Sequence, residues 1–443
     1  MNATEMFPEV PVVFPEHSVE APAPHLCHEM PEQFSVQVAE SIPAVEALRH
    51  IWNQWSHHLD TDLDYYMHKL RNDSTILRPY VITGFQDGVP QTMLVGQVRK
   101  RRVSSVVSFV NIPGPNVKAL EVINGGRMGR QSAAIDRLLV RELSSALRNA
   151  DVDLLCFQRL PLQSNLFREL QQVPGLSMKG RVPHVFCYSV VPVTAPPGKR
   201  VRALSGKNRR EARRKTRILQ RAFPGETRFQ CFSDASELEA GLHDASAVDI
   251  TAWQHDVYGP LNTPCTRENL TFCAQQGWLR IYVMYVGDSP VAFLIGQHYH
   301  QTFYCQHAGY RPDFARYSVG SLLTSWALES LAAAGVADVD LGEGGQEHNR
   351  RLGCELRRDG TVHLYSSTLR GLCANVFFAA TQAIRAGGSS VRECLNRAGG
   401  AWARLLPARS KAQRATAQRF ARPKPLFFRR IRKTLGLVWK VVE

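Results

Sequence analysis

The chain has 443 residues, 44% of them hydrophobic and 21% charged, and its 54 Lys and Arg against 39 Asp and Glu give a net charge of +15. That length exceeds one core and suits two domains, and the charge implies an anionic partner: a polyphosphate, a nucleic acid or an acidic membrane surface. The ten cysteines have no CxxC spacing, which argues against a disulfide framework or a zinc site, and there is no apolar run of about 18 residues to span a bilayer.

Residues 1–32 are Pro-rich (Pro8, Pro11, Pro15, Pro22, Pro24, Pro31) and read as an extended or disordered arm. No basic segment followed by an apolar one opens the chain, so no secretory signal is expected. Cys156, Cys187, Cys273 and Cys305 sit in apolar runs, as reduced thiols of a cytoplasmic protein do. A first domain is expected over 33–194. It has an early helix with Trp52 and Trp55, a strand from Leu77 to Phe85, and a Gly- and Arg-bearing loop, Gly125 to Ala134, that opens a helix.

Residues 193–198 (VTAPPG) form a proline-broken connection to a second domain over 199–370. Its elements are a basic helix, Gly206 to Ala222, and an acidic amphipathic helix, Asp234 to Ala247. The hairpin Arg280–Val286 and Val291–His300 follows, then a strand from Thr302 to Tyr310 and a loop from Arg311 to Tyr317. A helix from Ser318 to Ala334, closed by Gly335, leads to a last strand at Asp338. Meander strands, then helix, then strand predict an α/β fold with a mixed sheet. Residues 371–443 form a basic helical tail. Gly371 to Ile384 is apolar but too short to span a bilayer, and Pro425 to Val442 mixes aromatic and basic residues. That segment suits an interfacial helix, or a surface helix packed on its own domain.

The unit occurs twice. Pro90 opens PQTMLVGQ and Pro290 opens PVAFLIGQ, each after an aspartate turn (Gln86-Asp87-Gly88 and Gly287-Asp288-Ser289) and a strand carrying Tyr-Val (Tyr80, Tyr282). Each is followed by a helix with a Leu-Leu pair (Leu138, Leu322) and the tetrapeptide Asp-Val-Asp-Leu, at 151–154 and 338–341. Four landmarks in one order predict tandem copies of strand–turn–strand–helix–strand.

Chemistry concentrates in the second copy. A glycine at a helix start, Tyr317-Ser318-Val319-Gly320-Ser321, offers free N–H groups to an anion, with Arg311 and Arg316 just upstream. A Ser-capped helix with an incidental glycine reads the same way. Glu343, just past the strand 339–342, suits a general base, or it is a solvated loop carboxylate. His307 is a rival base, or a hydrogen-bonded core histidine. Its strand carries Phe303 and Cys305 on its own face and Tyr304 and Tyr310 on the other. Tyr310 or Tyr317 could protonate a leaving group. His298 and His300 read as acceptor-pocket or surface groups, with Tyr304 beside them. Trp253 stands on the acceptor side or is a packing aromatic. His348 beside Glu347 lacks a third ligand, so no metal is expected.

These features resemble the acyl-CoA N-acyltransferase (GNAT) fold in its tandem-domain branch, shared by FemAB-type transferases and CelD-like acetyltransferases of polysaccharide biosynthesis. The carrying residues are LSGKNRREARRKTRIL, the hairpin with DSPVAFLIG, the stretch AGYRPDFARYSVGSLL and DVDLGEGG. The resemblance spans roughly Trp52 to Leu364. It departs from the usual pyrophosphate loop, of which Gly320 alone matches, and from a Tyr-Lys pair where Asn349-Arg350 stands.

It implies two tandem GNAT-like domains, the first degenerate and shaping the acceptor cleft. Acetyl-CoA or a longer acyl-CoA would be held at Arg316 to Ser321. Catalysis would involve Glu343, His307 and Tyr310, and the acceptor would meet Trp253, His298 and Tyr304. The implied acceptor is an amino sugar or another envelope-polysaccharide precursor, free or carried on a lipid or nucleotide. The implied place is the cytoplasm, at the inner face of the membrane through the tail. The alternatives are a FemAB-type transfer from aminoacyl-tRNA, or a non-catalytic binder of anionic lipid or polymer.

Overall fold

The computed structural model describes residues 33–384, except 56–57, 108–109, 174–183, 194–205, 253–254, 256–258, 344–351 and 353. The Pro-rich arm, the 194–205 connection, Glu347, His348, Asn349, Arg350 and the tail beyond 384 lie outside the described residues.

Two hairpins set the frame. Strands β2 (Ile76–Gln86) and β3 (Val89–Val107) turn through Asp87 and Gly88, both at positive φ. Strands β8 (Leu279–Val286) and β9 (Ser289–Tyr299) turn through Gly287, at φ 58°. Positive φ suits the tight hairpin turn, whose twist matches the strands it joins. The registers agree residue for residue: Phe85 faces Pro90 and Tyr285 faces Pro290, while Tyr80 faces Gly96 and Arg280 faces Gly296. A preceding strand flanks each hairpin, β1 (Phe34–Ala39) and β7 (Thr227–Phe232). The Asp87 N–H donates to the Gln33 carbonyl (2.9 Å), and the Gly287 N–H donates to that of Glu226 (2.8 Å). The duplication read from the sequence is a structural one.

Each copy continues the same way. Strand β4 (Val110–Gly129) leads through helix α4 (Ala133–Arg148) to β5 (Leu154–Pro161). Strand β10 (Thr302–Tyr310) leads through helix α9 (Val319–Ala333) to β11 (Asp338–Glu343). β4 and β5 run parallel, as do β10 and β11.

The two Asp-Val-Asp-Leu stretches are not equivalent. Leu154 pairs beside Ala119 as Asp338 pairs beside Thr302, so the second tetrapeptide enters its strand three positions earlier. An identical short sequence did not fix register, because parallel pairing is set by the neighbouring strand.

The last strand of each copy crosses over. β6 (His184–Pro192), which ends the first copy, pairs antiparallel with β11 of the second. β12 (Glu355–Tyr365), which ends the second, pairs with β5 of the first, and β6 and β12 pair with each other. The result is one twelve-stranded mixed sheet in the order β1-β2-β3-β4-β5-β12-β6-β11-β10-β9-β8-β7. We call β1–β5 with β12 lobe one, and β7–β11 with β6 lobe two.

Helices cover both faces. In lobe one, α4 and α5 (Asn165–Gln172) pack on one face. On the other lie α1 (Ile42–Glu46), α2 (Arg49–Trp55) and α3 (Leu63–Asn72), around Trp52 and Tyr66. In lobe two, α9 and the basic helix α6 (Gly206–Ala222) share a face, with Leu219, Leu323 and Phe303 in its core. The opposite face holds α7 (Leu238–Asp249) and α8 (Pro264–Gln275), and its core admits Leu59 and Tyr65 from lobe one. The Tyr299 hydroxyl also reaches the Asp62 carboxylate (3.1 Å) across the lobes. No described helix is long and apolar enough to cross a membrane.

Candidate functional site

The sheet opens in lobe two. β10 and β11 pair only through Thr302–Asp338, Phe303–Val339 and Tyr304–Asp340, whereas β4 and β5 keep a fourth pair, Val122–Phe157. Both strands of lobe two leave the ladder by a bulge. β10 carries Gln306 as an extra residue against β9, and β11 bulges between Asp340 and Glu343 against β6. Gly342 sits in that second bulge at φ 71°, a left-handed conformation that glycine adopts without a Cβ clash.

Asp340 builds the bulge. One carboxylate oxygen accepts from the Gly342 N–H (2.8 Å). The other accepts from the Arg159 guanidinium (2.5 Å), which comes from lobe one across the β12–β6 seam. Arg159 is itself left-handed (φ 50°) in the corresponding bulge of β5, and its guanidinium lies 4.7 Å from the Tyr188 ring centre. Tyr188 in turn faces the Glu343 backbone in the β6–β11 ladder. Glu343 therefore ends β11 beside the opening; its side chain lies outside the described residues.

The tip of α9 stands at the end of the loop after β10. Residues Pro312–Tyr317 form a 3-10 turn, and Ser318 adopts a left-handed backbone (φ 59°) with no side-chain cap to the helix. The first helical bond at this end runs from the Leu322 N–H to the Ser318 carbonyl (3.1 Å). The N–H groups of Val319, Gly320 and Ser321 precede it and point out of the helix end. No acidic residue occupies this first turn. A Cβ on Gly320 would lie 3.2 Å from the Tyr310 ring, so helix tip and tyrosine are in contact.

The equivalent tip in lobe one is closed. The Ser132 side chain caps α4 by accepting from the Ile135 N–H (3.3 Å), and buried Asp136 sits in the first turn. Arg127, from the Gly-rich stretch, is paired with Asp136 (2.8 Å) and donates to the Met128 and Arg130 carbonyls. A cap of this kind is worth about 1 kcal/mol, and an acid in the first turn opposes a second anion. The copies thus differ at the one place where an anion could be held.

Positive charge gathers beside the α9 tip. α6 docks there through Phe223, the residue that follows its last turn, whose ring is 5.4 Å from Tyr317 and 5.8 Å from Phe314. Its residues Arg210, Arg213, Arg217 and Arg221 are exposed. The Arg214–Glu211 pair on its surface is solvated and worth under about 1 kcal/mol, and Glu211 is the one acid among the helix's residues. Arg316 is exposed and lies over the Tyr317 ring (4.7 Å). The fold thus brings Arg316, Tyr317, Ser318, Val319, Gly320, Ser321 and Tyr310 together.

His307 lies elsewhere than its strand alternation indicates. The bulge at Gln306 shifts the pleat, so His307 pairs with Ile295 and shares the α7–α8 face with Tyr304. Phe303, Cys305 and Tyr310 share the α9 face. A period-2 reading fails at one inserted residue. Burial lowers the His307 pKa, so its imidazole is neutral near pH 7. His298 pairs with Phe303, which puts it on the face opposite Tyr304; burial lowers its pKa too. Trp253 lies outside the described residues.

Tyr304 meets lobe one directly. Its ring is 4.7 Å from His58, and burial pushes its hydroxyl up to about 12, so it stays protonated. The sequence reading missed His58. Its Nδ1 accepts from the Asp60 N–H (3.1 Å) and its Nε2 lies 3.0 Å from the Asn124 amide. Burial lowers its pKa, so its imidazole is neutral near pH 7. No local pattern marks a histidine whose partner is 66 residues away. Among the described residues no cluster of three or more His, Cys, Asp or Glu could hold a metal ion.

Residues 206–350 match the family model of the acetyltransferase (GNAT) domain. No curated protein matches the sequence. The structure of FemX is similar over 72% of this chain and 95% of its own, at 9% identity and a TM-score of 0.46. The C-terminal domain of a putative lysylphosphatidylglycerol synthetase from Agrobacterium fabrum is similar over 74% of this chain and 94% of its own (11% identity, TM-score 0.43). A tandem GNAT protein from the clavulanic acid biosynthesis pathway is similar over 75% and 98% (10% identity, TM-score 0.42). The family match and the duplicated strand order carry the assignment. Residues 206–350, which include β7–β11 of lobe two, form an acetyltransferase (GNAT) domain, and the chain is an acyltransferase by class.

Proposed function

We propose that lobe two transfers an acyl group, acetyl or longer, from coenzyme A to an amine or hydroxyl of an acceptor seated between the lobes. The observation that carries this reading is the contrast between the helix tips. The α4 tip is capped by Ser132 and occupied by Asp136, while the α9 tip is uncapped, free of acids and flanked by the exposed arginines of α6. N–H groups at a helix start together with nearby cations suit a pyrophosphate.

The strand opening beside Asp340 leaves backbone groups of β10 and β11 without a ladder partner, which suits an amide-bearing arm laid between them. Glu343 acts as the base that removes the acceptor proton, and the Tyr310 hydroxyl, in contact with the α9 tip, returns one to the departing thiolate. Lobe one supplies the acceptor wall through His58 and Asn124 beside Tyr304. The acceptor belongs to the envelope-polysaccharide precursors, a class taken from the family resemblance.

The test is coenzyme A release on a panel of acyl-CoAs with amino-sugar acceptors. Glu343→Gln is expected to lower turnover by about 10²–10⁴-fold at unchanged donor affinity. Full activity in that variant removes Glu343 as base. Transfer from aminoacyl-tRNA, with no release from any acyl-CoA, replaces this donor with the FemAB-type one.

A further inference from the structure

The net charge of the chain is unevenly placed. Residues 385–443 hold 15 Lys and Arg against two acids, Glu393 and Glu443, which is +13 of the chain's +15. Residues 33–384 carry 39 Lys and Arg against 31 acids, and the arm 1–32 carries six Glu and no cation, so the C-terminal end is the most densely basic part of the chain.

The described chain reaches that end through a helix, α10, over residues 369–384. It is firmly docked. The Thr368 hydroxyl accepts from the Gly371 N–H (3.1 Å) and donates to the Asp153 carboxylate (2.8 Å), and Asp153 is itself locked onto the Lys118 N–H (2.9 Å). Ala374 and Phe377 fill a core pocket with Val103, Ile112, Val117 and Tyr365. Phe378 stacks on His363 (4.7 Å).

The other side of α10 is bare and apolar. Leu369 is 70% exposed, Val376 65%, Ile384 40% and Leu372 39%. These four are half of the large apolar side chains exposed among the described residues, so the concentration on one helix is not scatter. Leu369, Leu372 and Val376 follow the i, i+3, i+7 spacing of one stripe, with Ala380 and Ala383 exposed further along. The charged residue in the exposed stretch is Arg370.

We propose that this face of α10 docks on an anionic lipid bilayer, with the +13 segment that follows it supplying the electrostatic attraction. A rigid apolar stripe continued by a basic segment has the two terms that interfacial binding sums: buried apolar area and charge attraction to acidic headgroups. The chain's own tail is a poorer occupant, because its charge repels Arg370 and Arg102, the latter exposed on the hairpin strand beneath the helix. A second copy brings a second +13 segment to the same place. An acidic surface is drawn to all of these at once.

Flotation of the full chain with vesicles of equimolar phosphatidylglycerol and phosphatidylcholine, against pure phosphatidylcholine, tests this. The chain is expected to float with the acidic vesicles only, and to be released by salt. Replacing Leu369, Leu372 and Val376 together by Gln is expected to lower partitioning at least about tenfold with unchanged thermal unfolding, since these side chains stand in solvent. No flotation of the full chain overturns the proposal. So does a triple variant that floats like the unmodified protein, which would leave the tail charge acting alone. A variant that loses a dimer in light scattering at unchanged flotation assigns the face to a second copy, and one that unfolds earlier at unchanged flotation assigns it to the chain's own tail; both overturn the bilayer.

Discussion

Asp340 accepts from two donors at once, and through them it ties the opening of lobe two to lobe one. Both partners are largely buried, with side chains 9% and 21% exposed for Asp340 and Arg159, so removing either leaves a charge without its counterion. Arg159→Ala or Asp340→Asn is expected to cost about 3 kcal/mol in urea unfolding. Arg159→Lys recovers only part of it, because an ammonium cannot lie flat on Tyr188. His58 supplies a pH signature. Its folded imidazole resists protonation, while the unfolded one takes a proton near 6.5. The unfolded state thus binds more protons below that value, and stability falls as pH drops from 7 to about 5.5. His58→Gln should flatten that slope in unfolding measured at the two pH values. At this scale the sequence was legible where chemistry is local. Gly320, Ser318 and Tyr310 stand within a few residues of one helix start, and their pattern was visible. Arg159 and Asp340 are 181 positions apart, and no spacing announces such a pair.

The paired hairpins were the most legible elements, because turn chemistry and β-branched alternation agree at both sites. What the pattern could not supply was register after an insertion. Gln306 moved His307 to the other face, and the repeated Asp-Val-Asp-Leu sits three positions out of step. Gly296 shows how tightly β9 and β10 are matched. A Cβ there would strike the Tyr304 carbonyl and the Phe303 ring, and the carbonyl cannot yield. Gly296→Ala is expected to destabilise by about 1–3 kcal/mol, read as an earlier urea midpoint at unchanged slope. The same substitution at Gly88, a turn tip with open space around it, costs only its backbone strain.

The exchange of β6 and β12 makes the two copies one mechanical body. Neither lobe completes its sheet without a strand from the other, and Leu59 and Tyr65 of lobe one pack into a core of lobe two. The crossover was invisible in the sequence, since two adjacent copies predict two separate sheets equally well. Thermal unfolding is therefore expected to show a single transition with equal calorimetric and van't Hoff enthalpies; two resolved transitions would mean the lobes are independent. That coupling also gives the closed first copy a role, as the wall and brace for the open second one. The account stands most directly on isothermal titration with acetyl-CoA. The unmodified chain is predicted to bind, and Gly320→Trp, which fills the uncapped α9 tip against Tyr310, is predicted to abolish binding. Equal binding by both proteins would place the donor elsewhere and contradict the account.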